Sequence, residues 1–243
     1  MSASAYASPF ARAMSLVSAL WLAGCGAQAE APTQTSDEAA AASIDISALQ
    51  KTGALGLTPH FRAFLARSGY GAYDFARADV DGGSFGGRRD DQDAVHAQPV
   101  VFIHGNSDKA VGTSLSRSGF STSIQHFLKN GYRPSELYAT TWGPVDALQS
   151  SQQYHSRAHL TRVRAFLQAV LDYTGAAQID VIGHSMGVTL LRKAVQGGPA
   201  SDLLAGGDYD LGPSLASRID TFVGIAGSNR GLTLCYTSPA VPT

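Results

Sequence analysis

The chain has 243 residues, 44% apolar and 15% charged, with a formal net charge of −1. That length suits one domain plus a leader better than two domains, and the apolar share allows a sizeable core. The near-neutral charge argues against a nucleic-acid binder, which would carry a basic patch.

The first residues read "MSASAYASPFARAMSLVSALWLAG", followed by Cys25. Arg12 is their only charge. The apolar stretch from Ala13 to Ala23 is too short to span a bilayer stably. Leu22-Ala23-Gly24-Cys25 resembles the bacterial lipobox, where cleavage leaves the cysteine as the new N-terminus carrying lipid. On this reading residues 1–25 are a lipoprotein-type signal peptide and Cys25 is the lipidated residue. The protein is then exported and held at the outer membrane or cell surface through that anchor. The alternative is ordinary secretion with cleavage after Ala27-Gln28-Ala29. Residues 26–45 are mostly small, polar and aperiodic, as a flexible tether is. Residues 46–243 remain for the folded domain.

Within that domain, "PHFRAFLARSGYG" from Pro59 suggests a short helix. Val80 to Asp93 is glycine-rich and charged and reads as a surface loop. Its glycines follow no strand, so no dinucleotide site is expected. Pro99 to Ile103, "PVVFI", reads as a buried strand. Ser121 to Asn130 places Ile124, Phe127 and Leu128 at helical spacing, with Gly131 as the stop. Glu136 to Trp142 is strand-like. From Ser156 to Tyr173, Leu160, Val163, Phe166, Leu167, Val170 and Leu171 form one stripe of a helix that Gly175 ends. Ile179 to Ile182 is a strand, Met186 to Gln196 a helix, and Ile219 to Ala226 another strand. Such βα repetition predicts an α/β fold, a mostly parallel sheet with helices on both faces.

The chemistry-bearing stretch is "DVIGHSMGVT", Asp180 to Thr189. Gly183-His184-Ser185-Met186-Gly187 fits G-x-S-x-G between a strand and a helix. Glycines are needed there because the turn leaves no room for β-carbons beside the serine. Such a turn lifts the hydroxyl clear of the sheet and sets the helix start, with its favourable dipole, beneath it. Ser185 is therefore the candidate nucleophile, against the plainer reading of a serine in a tight βα turn. Upstream, "VVFIHGNSD" puts His104-Gly105 directly after a strand. In a parallel sheet that loop ends beside the serine, so the backbone N–H groups of Asn106 and Met186 can hold an oxyanion. His104 reads as a loop histidine that holds the turn, not as a base.

Together "PVVFIHGN", "ELYATTWG", "DVIGHSMG" and "FVGIAGSNRG", with "SFGGR" ahead of them, resemble the class 2 lipase family of α/β-hydrolases, over about residues 80–232. The resemblance implies hydrolysis of carboxylic esters of lipids through an acyl-serine intermediate on Ser185. It implies an oxyanion hole from the amides of Asn106 and Met186. No cofactor is expected, and no metal, since Asp208-Tyr209-Asp210, an acidic pair in a glycine-rich stretch, reads as a turn.

One part of the pattern is missing. This fold places an acid and then a histidine after the serine, yet His60, His96, His104, His126, His155, His159 and His184 all precede Ser185. Asp220 opens a strand at its non-catalytic end. His155 and His159 read as solvated caps or surface residues at a helix start. The preferred account is a C-terminally truncated piece of a longer enzyme, with Cys235 parted from a disulfide partner or simply a free thiol. The others are a prematurely terminated gene and a base recruited from elsewhere. The rival function is a catalytically inactive lipoprotein of hydrolase fold that binds acyl chains or a partner.

Overall fold

The computed structural model describes residues 55–114 and 117–231. Cys25, Cys235, the leader and the tether lie outside the described residues. The chain divides into two units, Met1–Ser43 and Ile44–Thr243, and every described residue belongs to the second.

Six strands form the main sheet: β1 (Gly56–Leu57), β2 (Ser84–Gly86), β3 (Val100–Ile103), β6 (Leu137–Thr140), β7 (Ile179–His184) and β10 (Ile219–Ile225). Their order is β1-β2-β6-β3-β7-β10. All neighbours run parallel except β2 and β6, which are antiparallel. Two hairpins stand apart, β4 (Val111–Ser114) with β5 (Arg117–Gly119), and β8 (Pro199–Asp202) with β9 (Gly207–Asp210). The helices are α1 (Pro59–Arg67), α2 (Ser121–Lys129), α3 (Arg157–Thr174) and α4 (Met186–Gln196).

β3, at the centre of the sheet, is a continuous apolar run because both of its faces are covered. Val101, Ile103, Tyr138, Ile179 and Val181 pack toward α1, α3 and α4. The alternate residues Val100, Phe102, Leu137 and Ala139 pack toward α2. This two-sided core, with the parallel register, is an α/β fold of the kind the βα repetition predicts. Local chemistry sets the helix limits. Thr58 Oγ1 accepts from Phe61 N at 3.2 Å ahead of Pro59, and Ser156 Oγ accepts from His159 N at 3.2 Å at the start of α3. Gly175 closes α3 in the left-handed region at φ 69°.

Two expectations need correction. Residues 80–93 are not only a surface loop, because Ser84, Phe85 and Gly86 form the fully buried β2. The polar and glycine-rich flanks hide a strand only three residues long. Asp208-Tyr209-Asp210 is not a turn; it lies in β9, paired with Pro199, Ala200 and Ser201. Its alternation of outward carboxylates and one half-buried tyrosine is that of a hairpin strand. Among the described residues β10, the strand expected over Ile219 to Ala226, ends the sheet, with Phe222, Val223 and Ile225 exposed by 37%, 39% and 46%.

Candidate active site

Ser185 stands between the end of β7 and the first residue of α4, at φ 51° and ψ −124°. A non-glycine residue in this region is strained by about 1–3 kcal/mol and persists only where its surroundings enforce it. Here they do. Ser185 N donates to Ile225 O at 2.9 Å, and Val188 N donates to Ser185 O at 3.1 Å.

The flanking glycines are where the packing needs them. A Cβ on Gly187 would overlap the carbonyl oxygens of Ile103 and His104, because α4 presses onto the end of β3. A Cβ on Gly183 would come within 3.0 Å of Val188 N and 2.9 Å of Leu191 Cδ1. A Cβ on Gly105 would sit 2.9 Å from His184 Nδ1 and 3.1 Å from Ser185 Cβ. The His104-Gly105 loop therefore lies directly against the serine, across the β3–β7 pairing that joins Ile103 to Gly183.

His104 is 1% exposed and stacks on Trp142 with ring centres 5.3 Å apart. Its Nδ1–H donates to Gly105 O at 2.7 Å, which leaves Nε2 unprotonated to accept from Trp142 N at 3.2 Å. The Trp142 indole donates back to His104 O at 2.8 Å. Burial pushes the imidazole down to about 3, so it is neutral and both nitrogens are used. Its geometry is that of a loop-holding residue.

Beyond it, Asp108 N donates to Gly105 O at 3.3 Å and closes a turn around Asn106 and Ser107. Asn106 Nδ2 donates to Ser150 O at 2.8 Å, and Ser107 Oγ to Asp146 O at 3.3 Å. Among the described residues the Asn106 backbone N–H has no acceptor. Met186 is the first residue of α4, so its N–H has no acceptor within the helix. Burial raises the Asp108 carboxyl, whose Oδ1 accepts from Lys109 N at 2.8 Å and Gly119 N at 3.2 Å.

His155, ahead of α3, and His159, in its first turn, are not solvated caps. Ser156 is the cap. His155 is half-buried, with Nε2 2.6 Å from Thr189 Oγ1 in the first turn of α4, and Thr189 Oγ1 donates to Met186 O at 2.9 Å. His159 turns an edge to Trp142 at 4.8 Å and contacts Tyr154 O through Nδ1 at 3.1 Å. Burial lowers both imidazoles. Among the described residues no side chain hydrogen-bonds Ser185 Oγ, and none forms a cluster of three or more metal-ligating groups.

Sequence reasoning passed over Arg77, and it counted Asp202 only as one of the acids after Ser185, with no role. Arg77 pairs with Asp79 through Nε and Nη2, both at 2.8 Å, and donates from Nη1 to Thr141 O and Gly143 O, fixing the loop after β6. Asp202 is 2% exposed and accepts from Tyr154 OH and from Arg157 N. No motif marks either residue; the backbone that Arg77 holds at Thr141 and Gly143, and the Tyr154 and Arg157 partners of Asp202, lie far away in the sequence. An open cavity of about 490 Å³ beside the β6 loop is lined by Arg77, Asp79, Asp146, Gln149, His159 and Arg162 among others, and Ser185 is not in its wall.

Compared with known proteins, the chain matches the family described as Lipase (class 2) over residues 97–243. It is also 33% identical over 90 residues to the 2-hydroxy-6-oxononadienedioate/2-hydroxy-6-oxononatrienedioate hydrolase of Escherichia coli O81 (strain ED1a). That match covers 37% of this chain and 28% of the relative, so the chain spans well under half of it. Both similarities are to hydrolases, and the family is one of α/β-hydrolases, consistent with the sheet and helices described above. The family match takes in β3, the His104-Gly105 loop, β7, Ser185 and β10, and covers more than half of the sequence. The chain belongs to the class 2 lipase family.

Proposed function

We propose that the protein is an exported serine hydrolase that cleaves carboxylic esters of lipids through an acyl-serine intermediate. The observation that carries this reading is Ser185, held at φ 51° with the His104-Gly105 loop against it. A strained serine has no use in a passive binding module, whereas it exposes a hydroxyl for attack on an ester carbonyl. In the proposed sequence, Ser185 Oγ adds to the carbonyl carbon while the amides of Asn106 and Met186 receive the developing oxyanion. The alkoxide leaves with a proton, and water then releases the acid from the serine. Each oxyanion donor contributes about 10²–10³ in rate.

Proton transfer needs a base. No histidine follows Ser185 in these 243 residues, so we expect this chain alone to retain only residual turnover. The anchor on Cys25 and the outer-membrane or cell-surface location belong to the same reading, resting on Leu22-Ala23-Gly24-Cys25.

A small base that diffuses to the serine tests this. Turnover of p-nitrophenyl butyrate should rise with imidazole concentration well beyond the rate that Ser185→Ala gives with the same imidazole. Equal rates for the two chains would reject the nucleophile. That result would favour the second reading, an inactive lipoprotein that binds acyl chains or a partner, which the absence of any side-chain partner on Ser185 Oγ among the described residues supports.

A further inference from the structure

Arg164, on α3, is a buried cation, only 4% exposed. Its Nη1 donates to Ala194 O at 2.7 Å and its Nη2 to Pro213 O. Both acceptors are neutral carbonyls, and Nε has no acceptor among the described residues. None of the ion pairs among the described residues includes Arg164. Buried charges are normally paired, because a guanidinium taken out of water loses more than two carbonyls return. Burial pulls this one below its ordinary value, and only the more distant Asp210 works against that.

Arg164 forms part of the wall of a cavity of about 240 Å³. Arg157, two turns earlier on the same face of α3, lines it too. The Arg157 guanidinium stands over the Tyr209 ring at 5.2 Å and has no acceptor among the described residues. Asp210 of β9 is the acid in the wall, while Tyr73 and Leu211 supply apolar surface. Neither Ser185 nor the oxyanion loop reaches this cavity.

The charges select the ligand. Two arginines against one aspartate leave one net positive charge, which a single carboxylate balances. A phosphate dianion would overfill it and meet Asp210. The planar guanidinium fork also matches a carboxylate. At about 30 Å³ for each water-sized unit, the cavity admits about eight non-hydrogen atoms, so the acid carries a short chain. We propose that this cavity binds a short-chain monocarboxylate, gripped by Arg157 and Arg164 with its hydrocarbon part against Tyr73 and Leu211. The site stands independently of the reading of Ser185. Under that reading, the acid released from a short ester belongs to the class it binds.

The test adds sodium butyrate to the full chain carrying isotope-labelled arginine, at an ionic strength held constant with chloride. The Nε–H resonance of Arg164, assigned by through-bond correlation, should shift and saturate. Butyramide, which has the same shape and no charge, should leave it in place. Arg157 is exposed, so Arg157→Gln keeps the fold, and it should raise the half-saturating butyrate concentration about tenfold, the loss expected for a hydrogen bond to a charged group. Ser185→Ala should bind as the wild type does, whether or not Ser185 proves to be a nucleophile. An Arg164 resonance that butyrate does not move, or that butyramide moves as far, overturns the proposal. So does an unchanged half-saturation in Arg157→Gln, or a loss of the shift in Ser185→Ala. Saturation by inorganic phosphate at a lower concentration than butyrate would overturn the carboxylate assignment.

Discussion

The backbone N–H of Ser185 donates to the carbonyl of Ile225 at 2.9 Å, so the strained turn that carries the serine is anchored to the neighbouring strand β10. This bond, with the crossing of α4 over the end of β3, holds Ser185 at φ 51°. Ser185→Gly should relieve the strain and stabilise the fold by about 1 kcal/mol, a rise in Tm of roughly 2–4 °C. A thermal melt checks it, and a lower Tm for the glycine variant would mean that the turn is not strained.

Gly187 has no room for a side chain. Gly187→Ala would push a methyl into the Ile103 and His104 carbonyls, separating the helix from the oxyanion loop. We expect a loss of about 3 kcal/mol, seen as a fall in the urea midpoint at unchanged slope. Gly131→Ala is the control, since a Cβ there meets nothing within 4 Å and only the backbone conformation at φ 95° resists it.

His104 gives the fold a pH dependence of known sign. Burial lowers its imidazole from an ordinary 6.5 to about 3, so folding favours the neutral form. The stability this gives is full above about pH 6.5 and is lost as pH falls toward 3. His104→Gln removes the titration, so wild type should lose its advantage over the variant progressively across that window. Urea unfolding of both chains at several pH values reads it, and a difference that stays constant from pH 7 to pH 4 would place the histidine outside the buried network with Trp142.

The edge strand should limit solubility. Among the described residues, Phe222, Val223 and Ile225 are exposed on a strand that no further strand pairs, the arrangement that invites edge-to-edge association. Phe222→Lys should raise the concentration at which light scattering begins, with Tm within about 2 °C of wild type, because the ring is already 37% exposed. A drop of many degrees would show that the phenylalanine is part of the core.

Much of this molecule was legible from sequence. β3, β7, α3 and α4 follow their apolar spacing to within a residue or two, because long stripes and capping residues such as Ser156 and Gly175 leave little choice. The placement of Gly105 against Ser185 was foreseeable from strand–turn–helix logic alone. What was not legible is short or non-local. β2 is three residues inside a polar stretch, and its pairing with β6 on one side and β1 on the other identifies it. The burial of His155 and His159 depends on Thr189 and Trp142, far away in the chain. The exposure of β10 has no local signature, since a strand reads alike whether or not another element covers it.

The central claim is that Ser185 is the nucleophile, and its most direct test is a fluorophosphonate probe applied with imidazole as the base, followed by peptide mass spectrometry. The account predicts one phosphonyl adduct on Ser185, on the peptide that carries Gly183-His184-Ser185-Met186-Gly187, and none in Ser185→Ala. An adduct on another residue, or none at Ser185 at any imidazole concentration in a folded chain, would contradict it.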